Sequence, residues 1–213
     1  MTRAKVVDRA TRILDAGGPD ALTLSRVARE LGVRPPSLFD HIEGLPGLLR
    51  ALRIRSFEAQ TELLRAAAVG RSEDDALRAV ALAYRGFTTA HPGLYRISVR
   101  TYVGDAPEVQ RAAGALLSAF LEILRGYAIA EDELVHAARF ARGALHGFLT
   151  LEAEGGFGLA TNVDASFERT VDAICRALGT WTSPIGGWSS ASTARGRPSR
   201  PRRARMRSAE LGR

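Results

Sequence analysis

The sequence predicts an all-α protein of about nine helices, three short ones followed by a larger helical bundle. Three observations predict this class. Apolar residues recur at helical spacing along almost the whole chain, no convincing alternating strand pattern is found, and Gly and Pro clusters separate the periodic segments. An apolar content of 46% allows a sizeable core, whereas no apolar run approaches the roughly 20 residues needed to cross a bilayer.

The N-terminal part contains three short helices and the start of a long one. The first has an apolar stripe and stops at Gly17-Gly18-Pro19. The second begins after Thr23, a good N-cap residue, and ends at Gly32, which tolerates the left-handed conformation of a C-terminal cap. A third is predicted from Pro36 to about Ile42, and a long fourth helix follows to about Val69.

Five further helices are predicted in the rest of the chain. Acids at helix starts, Pro and Gly breaks and apolar stripes delimit them. Their approximate ranges are 72–90, 94–99, 107–127, 131–154 and a last helix that ends at Gly179. We therefore expect a small helical domain at 1–60, a larger helical bundle at 61–180 and a disordered Arg-rich tail at 181–213.

The net charge of +7 is located in this tail. From Ser189 onward there are eight arginines and one acid, Glu210, so the preceding residues are balanced overall. The high pI is therefore not evidence that the folded part binds DNA. The tail either adds salt-sensitive affinity for phosphates or is a terminal extension without a role.

The segment from about 23 to 42 has the spacing of a helix-turn-helix. Two helices that cross steeply need a small residue, a chain-reversing Gly and an apolar residue beneath the corner, and Ala28, Gly32 and Val33 supply these. A short helix held by such a corner suits insertion into a DNA major groove. The alternative is a purely structural corner in a helical ligand-binding or carrier protein.

Residues 1–60 resemble the N-terminal domain of the TetR family of bacterial transcriptional regulators. The pattern is Ala10…Ile13-Leu14…Gly17, Leu22-Thr23…Val27-Ala28…Leu31-Gly32-Val33 and Ser37-Leu38-Phe39-Asp40-His41-Ile42. The chain departs from the usual family residues at Phe39, Ile42 and Leu45, where Tyr, Phe and Lys are common. By this resemblance DNA would be contacted by Thr23, Arg26, Arg34, Pro36, Ser37, Phe39 and His41.

The resemblance also implies separate roles for these side chains. Thr23 and His41 would bond phosphates, with the charge of Arg26 beside them, and Phe39 would press on the sugar-phosphate wall. Arg34, Pro36 and Ser37 would approach base edges. A bidentate Arg34–guanine pair would contribute about 1–3 kcal/mol of discrimination, although the same guanidinium could meet only a phosphate.

A second resemblance covers roughly residues 75–180. His91-Pro92-Gly93-Leu94-Tyr95 and Leu145-His146-Gly147-Phe148…Leu151-Glu152…Gly156-Phe157 are similar to the ligand-binding domain of a TetR subfamily named for a Trp-His-Gly motif, with Leu145 in place of Trp. This implies a homodimer formed through the last two helices. The small residues of the penultimate helix favour close packing, either with a partner or within one subunit. The predicted interface is Ala137, Ala141, Ala144, Phe167, Val171, Ile174 and Leu178.

Aromatic residues with polar tips could line a pocket for a mostly apolar small-molecule effector. The candidates are Tyr84, Phe87, Tyr95, Val99, Tyr102, Leu117, Phe120, Phe140 and His146. The alternative for each of them, including the lone His146, is an ordinary core position.

The sequence offers no pattern for catalysis. Cys175 is the only cysteine, which excludes an intrachain disulfide or Cys cluster, and the four histidines lie at no metal-binding spacing. Because there is no nucleophile elbow or phosphate-binding loop either, we expect no enzyme, cofactor or metal. We expect a cytoplasmic homodimer, without membrane contact, that represses from a palindromic DNA operator until an effector releases it. Activation instead of repression stays open.

Overall fold

The structure is a computed structural model that describes residues 1–99 and 105–182. In these two stretches the chain forms α-helices and short 3-10 segments, which confirms the predicted all-α class. The α-helices are α1 (Arg3–Gly17), α2 (Leu24–Leu31), α3 (Gly44–Ala68), α4 (Glu73–Ala90), α5 (Pro92–Ser98), α6 (Pro107–Leu124), α7 (Leu134–Ala153) and α8 (Val163–Gly179). The 3-10 segments are Pro19–Ala21, Pro35–Leu38 and Arg125–Tyr127.

The predicted third helix, Pro36 to Ile42, is wrong as an α-helix. Residues Pro35–Leu38 form a 3-10 segment, in which the Ser37 amide donates to the Arg34 carbonyl at 3.0 Å. Arg34, directly before Pro35, is extended, as is usual for a residue before proline. The Phe39 amide also donates to the Pro36 carbonyl at 3.1 Å, so the segment keeps the i to i+3 bonds of a 3-10 turn. Leu38 is fully buried and fixes the segment to the core.

The corner before this segment is formed by local capping, as predicted. The Thr23 hydroxyl accepts a hydrogen bond from the Arg26 amide at 3.2 Å and caps α2. Gly32 has a φ of 69°, and the Val33 amide donates to the Ala28 carbonyl at 3.0 Å. This left-handed cap reverses the chain directly after α2 and aims residues 34–39.

Helix α5 lies directly on the C-terminal end of α1. A Cβ at Gly93 would lie 2.1 Å from the carbonyl oxygen of Leu14, so only glycine permits this approach. The Leu94 amide donates to Asp15 Oδ1 at 2.9 Å, and His91 Nδ1 lies 2.8 Å from Asp15 Oδ2. These contacts give a structural reason for the His91–Tyr95 motif: it fixes α5 to α1.

Helix α3 is long and contributes to two parts of the core. Its 25 residues span about 37 Å at the usual helical rise. Leu48 and Leu52 pack with α1 and α2, whereas Leu64 packs with Val80 of α4. Residues 1–182 form one compact unit. The division predicted at residue 60 lies inside α3 and stays a prediction about which residues serve DNA and which serve a ligand.

The C-terminal bundle contains α4, α6, α7 and α8 around a core of its own. At the edge of this bundle, Arg85 of α4 contacts residues of α7 and α8. Its Nε donates to Glu152 Oε2 at 2.9 Å, its Nη2 lies 2.7 Å from Asp164 Oδ1, and its guanidinium stacks 4.7 Å from the ring centroid of Phe167. The half-buried Arg85 therefore links α4 to α7 and α8.

The predicted start of the tail, residue 181, is wrong by at least one residue. Trp181 Nε1 donates to Glu133 Oε2 at 3.1 Å, and its ring lies 5.6 Å from that of Phe140. Trp181 therefore packs on the bundle. The rest of the predicted tail, 183–213, lies outside the described residues. None of the helices that the structure describes is both long enough and apolar enough to span a bilayer.

Candidate DNA-binding surface and internal cavity

The residues predicted to face base edges are exposed together. Arg34, Pro36 and Ser37 are all exposed, and Phe39 is 60% exposed although it is aromatic. The buried Leu38 lies between Ser37 and Phe39 and anchors them. The chain thus projects a short rigid ridge, residues 34–39, beyond the core.

Thr23 and Arg26, at the start of α2, are partly engaged in contacts within the subunit. The Thr23 hydroxyl accepts from an amide, which leaves its own hydrogen free to donate to a phosphate. Arg26 Nε donates to Glu30 Oε1 at 3.1 Å, and Glu30 also pairs with Arg9 at 3.6 Å. Glu30 therefore offsets part of the positive charge of Arg26.

His41 is half-buried and borders a polar groove of about 380 Å³ beside the ridge. The groove contains two arginines, Arg3 and Arg50. Arg50 pairs with Glu43 and lies 3.6 Å from Glu108, so acids balance its charge. The groove therefore has no strong preference for anions.

A cavity of about 100 Å³ lies between the helices of the C-terminal part. Five predicted pocket residues line it: Tyr84, Tyr95, Val99, Leu117 and Phe120. Residues from α3 to α7 complete the wall: Phe57, Gln60, Leu64, Val80, Ser98, Ala113, Leu116, Arg142 and Leu145. The cavity is mostly apolar with a few polar groups, which is the usual composition of a small-molecule site.

Three other predicted pocket residues, Phe87, Phe140 and His146, are not among those that line this cavity. Phe87 is a core residue that packs against the ring of His91, 5.4 Å away. Phe140 is 40% exposed on α7 and contacts Trp181. His146 lies behind Tyr95, and Tyr102 is outside the described residues. An aromatic pattern indicates burial but not which helix the ring faces.

Three side chains form a hydrogen-bonded chain at the cavity wall. The Tyr84 hydroxyl donates to that of Tyr95 at 3.2 Å, and the Tyr95 hydroxyl contacts His146 Nδ1. Burial raises the pKa of both tyrosines, and burial together with the charge of Arg142 lowers the pKa of His146. These shifts favour neutral phenols and a neutral imidazole, so Nδ1 can accept the hydrogen of Tyr95.

Sequence reasoning missed the polar residues Gln60, Ser98 and Arg142. Gln60 is 2% exposed, and its Nε2 lies 2.9 Å from Ser56 Oγ and 3.1 Å from Ser98 Oγ. The signal for Gln60 was a pair of polar residues, Ser56 and Gln60, one turn apart on an apolar stripe of α3. Arg142 had a similar signal, because it lies four residues before His146 on the same face of α7.

The residues predicted to form the dimer interface lie mostly in the core of the single subunit. Ala137, Ala141 and the whole stripe of α8 are buried within the single subunit: Phe167, Val171, Ile174 and Leu178 are each less than 5% exposed. Ala144 is half-buried against the same core. The small residues of α7 therefore allow α8 to pack closely within one chain, and the residues that contact a partner stay a prediction.

Nothing in the described stretches resembles a metal site, since no three His, Cys, Asp or Glu side chains there could hold one ion. Cys175 is buried, and burial raises the pKa of its thiol. The thiol is therefore protonated at neutral pH and packs as a small apolar side chain.

The sequence is similar to a family model and to known transcriptional regulators. The family model described as "Tetracyclin repressor-like, C-terminal domain" matches residues 77–174. The chain is 35% identical to the uncharacterised HTH-type transcriptional regulator Rv0681 of Mycobacterium tuberculosis over 73% of this chain and 72% of that protein. It is 31% identical to the uncharacterised HTH-type transcriptional regulator YobS of Bacillus subtilis over 74% of this chain and 82% of that one.

Solved structures show the same fold. A protein of unknown function from Rhodococcus sp. RHA1 superposes with a TM-score of 0.72 at 27% identity, covering 82% of this chain and 93% of that chain. The narrower Trp-His-Gly resemblance stays a prediction. With an exposed helix-turn-helix ridge, an internal cavity and these relatives, the chain belongs to the TetR family and is a DNA-binding transcriptional regulator.

Proposed function

We propose that this regulator is a cytoplasmic repressor that holds a palindromic operator through the ridge 34–39 and releases it when a small molecule enters the cavity. The exposed ridge supported by buried Leu38 is the observation that carries the DNA-binding half. The cavity wall supports the effector part of the proposal. Tyr95 and Ser98 line the cavity and belong to α5, which packs on α1 of the DNA-binding part. No catalytic step is part of this proposal.

At the ridge, Arg34 and Ser37 would meet base edges and Phe39 the sugar-phosphate wall. Arg34 is exposed and makes no ion pair with any acid in residues 1–99 and 105–182, so its guanidinium is available for a guanine or a phosphate. Pro36 keeps the segment rigid beside them. The Thr23 hydroxyl and His41 would position the ridge by bonding phosphates on either side.

The proposed partner is a second copy of the chain. On α7, Phe140, Gly143, Gly147 and Leu151 share one face at helical spacing, and all four are exposed. The glycines have open space where a Cβ would lie, which allows another helix to approach closely. A dimer formed through this face would place two ridges on successive major grooves, about one DNA turn apart.

The coupling between cavity and ridge would run through α5. A ligand against Tyr95 or Ser98 changes the position of α5, and the contacts of Gly93 and Asp15 transmit this change to α1. The ligand can shift the equilibrium only by the difference between its affinities for the two states.

In vitro transcription from the promoter upstream of the protein's own gene tests this proposal. The protein should lower the yield of transcript, and a cavity ligand should restore it. A rise in transcript would contradict repression and indicate an activator. Ligand binding without any effect on transcription or on DNA would instead favour a helical carrier protein with a structural corner.

A further inference from the structure

We propose that the cavity accepts a monocyclic aromatic acid that also carries one hydrogen-bond donor, such as a hydroxylated benzoate. This inference rests on the effector half of the proposed function and adds the chemical class of the ligand. It follows from the size of the cavity, from one cation at its wall and from one unpaired acceptor inside it.

The size of the cavity limits the ligand to about one ring. Its volume is about 100 Å³, less than the roughly 150 Å³ of an apolar cavity that accepts benzene. One ring therefore fills it, and the carboxylate of the ligand must lie outside this volume, at the mouth beside Arg142. Phe57, Leu116 and Phe120 supply apolar and aromatic surface for such a ring. A polycyclic molecule would require the helices to separate.

Arg142 is the only charged side chain among the lining residues that the structure describes. Its recorded hydrogen bond, from Nη2 to the Val99 carbonyl, is long at 3.4 Å, and no acid in residues 1–99 or 105–182 forms an ion pair with it. Arg142 is an exposed residue that also lines the cavity, so it lies at the mouth. A planar fork of donors in this place matches a carboxylate.

The positive charge of Arg142 also acts on the inner wall. Burial is the main cause of the raised pKa of Tyr84 and Tyr95, and the charge of Arg142 opposes it in both. The same charge helps to lower the pKa of His146. The charge of Arg142 therefore acts at this wall in the direction that favours an anion over a cation.

Gln60 supplies the acceptor for a donor on the ring. Its Nε2 donates to the Ser56 carbonyl at 3.2 Å, and since a carbonyl only accepts, the orientation of the amide is fixed. The two neighbouring hydroxyls, Ser56 Oγ and Ser98 Oγ, are already used to donate to the carbonyls of Leu94 and Tyr95. Among residues 1–99 and 105–182 no group donates a hydrogen bond to Oε1 of Gln60, and a ligand hydroxyl can fill that place.

Isothermal titration calorimetry on the full chain, at about pH 7 and 150 mM salt, tests the assignment with four probes. These are 4-hydroxybenzoate, 4-hydroxybenzamide, 4-hydroxybenzylamine and benzoate. We expect 4-hydroxybenzoate to bind about tenfold more tightly than the neutral amide, a difference of about 1.4 kcal/mol. The amine should bind most weakly, and benzoate should bind several-fold more weakly than its hydroxylated analogue.

Two variants assign the preferences to their residues. Arg142→Gln should bring the acid-to-amide ratio close to one, whereas Arg139→Gln, an exposed arginine of α7 that does not line the cavity, should leave the ratio unchanged. Gln60→Met should remove the advantage of the hydroxyl. If this buried variant does not fold, the comparison of benzoate with 4-hydroxybenzoate on the wild-type chain still tests the acceptor.

The outcomes separate this inference from the proposed function. A neutral or cationic probe that binds as well as the acid, or an unchanged ratio in Arg142→Gln, would overturn the ligand class while repression stands. If no probe binds to a chain that still recognises its operator, the class is equally overturned. Acid binding that depends on Arg142 but never affects DNA would uphold the class and contradict the repressor proposal.

Discussion

Replacing Gly93 with alanine should separate α5 from α1. The new Cβ would lie 2.1 Å from the Leu14 carbonyl oxygen, 2.4 Å from its carbon and 2.8 Å from the Asp15 nitrogen. All three are backbone atoms at the end of a helix, so no side chain can rotate to relieve the contact. One of the two helices must move by an ångström or more.

The cost can be worked out from the contacts that this movement breaks. The Leu94 amide would lose its bond to the Asp15 carboxylate, and hydrogen bonds to charged groups contribute about 1.5–3 kcal/mol. Overpacking in a dense interior costs about 1–3 kcal/mol more. We therefore expect Gly93→Ala to lower the free energy of unfolding by about 3–5 kcal/mol.

Urea denaturation followed by circular dichroism measures this change, and Gly86→Ala is the matched control. Gly86 is an exposed position of α4 where an added Cβ meets nothing within 4 Å, so that change should stabilise by about 0.5–1 kcal/mol. Equal unfolding midpoints for Gly93→Ala and the wild type would refute the claim that this close approach fixes α5 to α1.

Three further changes test other parts of the structure. Leu38→Ala removes a fully buried side chain and should lower the free energy of unfolding in urea by about 2–5 kcal/mol. Phe39→Ala should change that free energy by no more than about 0.5 kcal/mol yet weaken DNA binding. Equal losses of stability would mean that Leu38 does not anchor the ridge. Arg85→Met breaks the ion pairs with Glu152 and Asp164 and should lower the free energy of unfolding by about 1–3 kcal/mol. A smaller loss than that from replacing an exposed control arginine would contradict the claim that Arg85 links α4 to α7 and α8. Burial lowers the pKa of His146, so the contribution of this residue to stability is complete above about pH 6.5 and is lost as the pH falls below that value. The decline in melting temperature between pH 7 and 5 should therefore be smaller in His146→Gln than in the wild type. An identical decline in the two proteins would exclude this effect.

The parts of the fold that depend on local chemistry could be predicted from the sequence. Thr23 and Gly32 bound α2 because a hydroxyl N-cap and a left-handed C-cap act within a few residues. The third helix was misassigned because helical spacing was weighted above the Pro35-Pro36 pair, which favours a turn since a residue before proline is biased away from the α-helical conformation.

Contacts between distant segments were much harder to predict. The apolar stripe of α8 showed that Phe167 and Val171 are buried, but burial against α7 of the same chain has the same pattern as burial against a partner. The cavity depends on residues far apart in the sequence, such as Gln60 and Arg142. Only the packing of α3, α5 and α7 brings them to one wall.

The central claim is that the ridge 34–39 reads DNA. Fluorescence anisotropy tests it with the full chain and labelled DNA from upstream of its own gene, against excess random duplex at about 150 mM salt. The matched variants are Arg34→Ala and Arg65→Ala, the latter an exposed arginine about 30 Å along α3 from its N-terminus. We predict tight binding that survives the competitor, is weakened at least tenfold by Arg34→Ala and is unchanged by Arg65→Ala. Specific binding that both variants retain in full would contradict the claim.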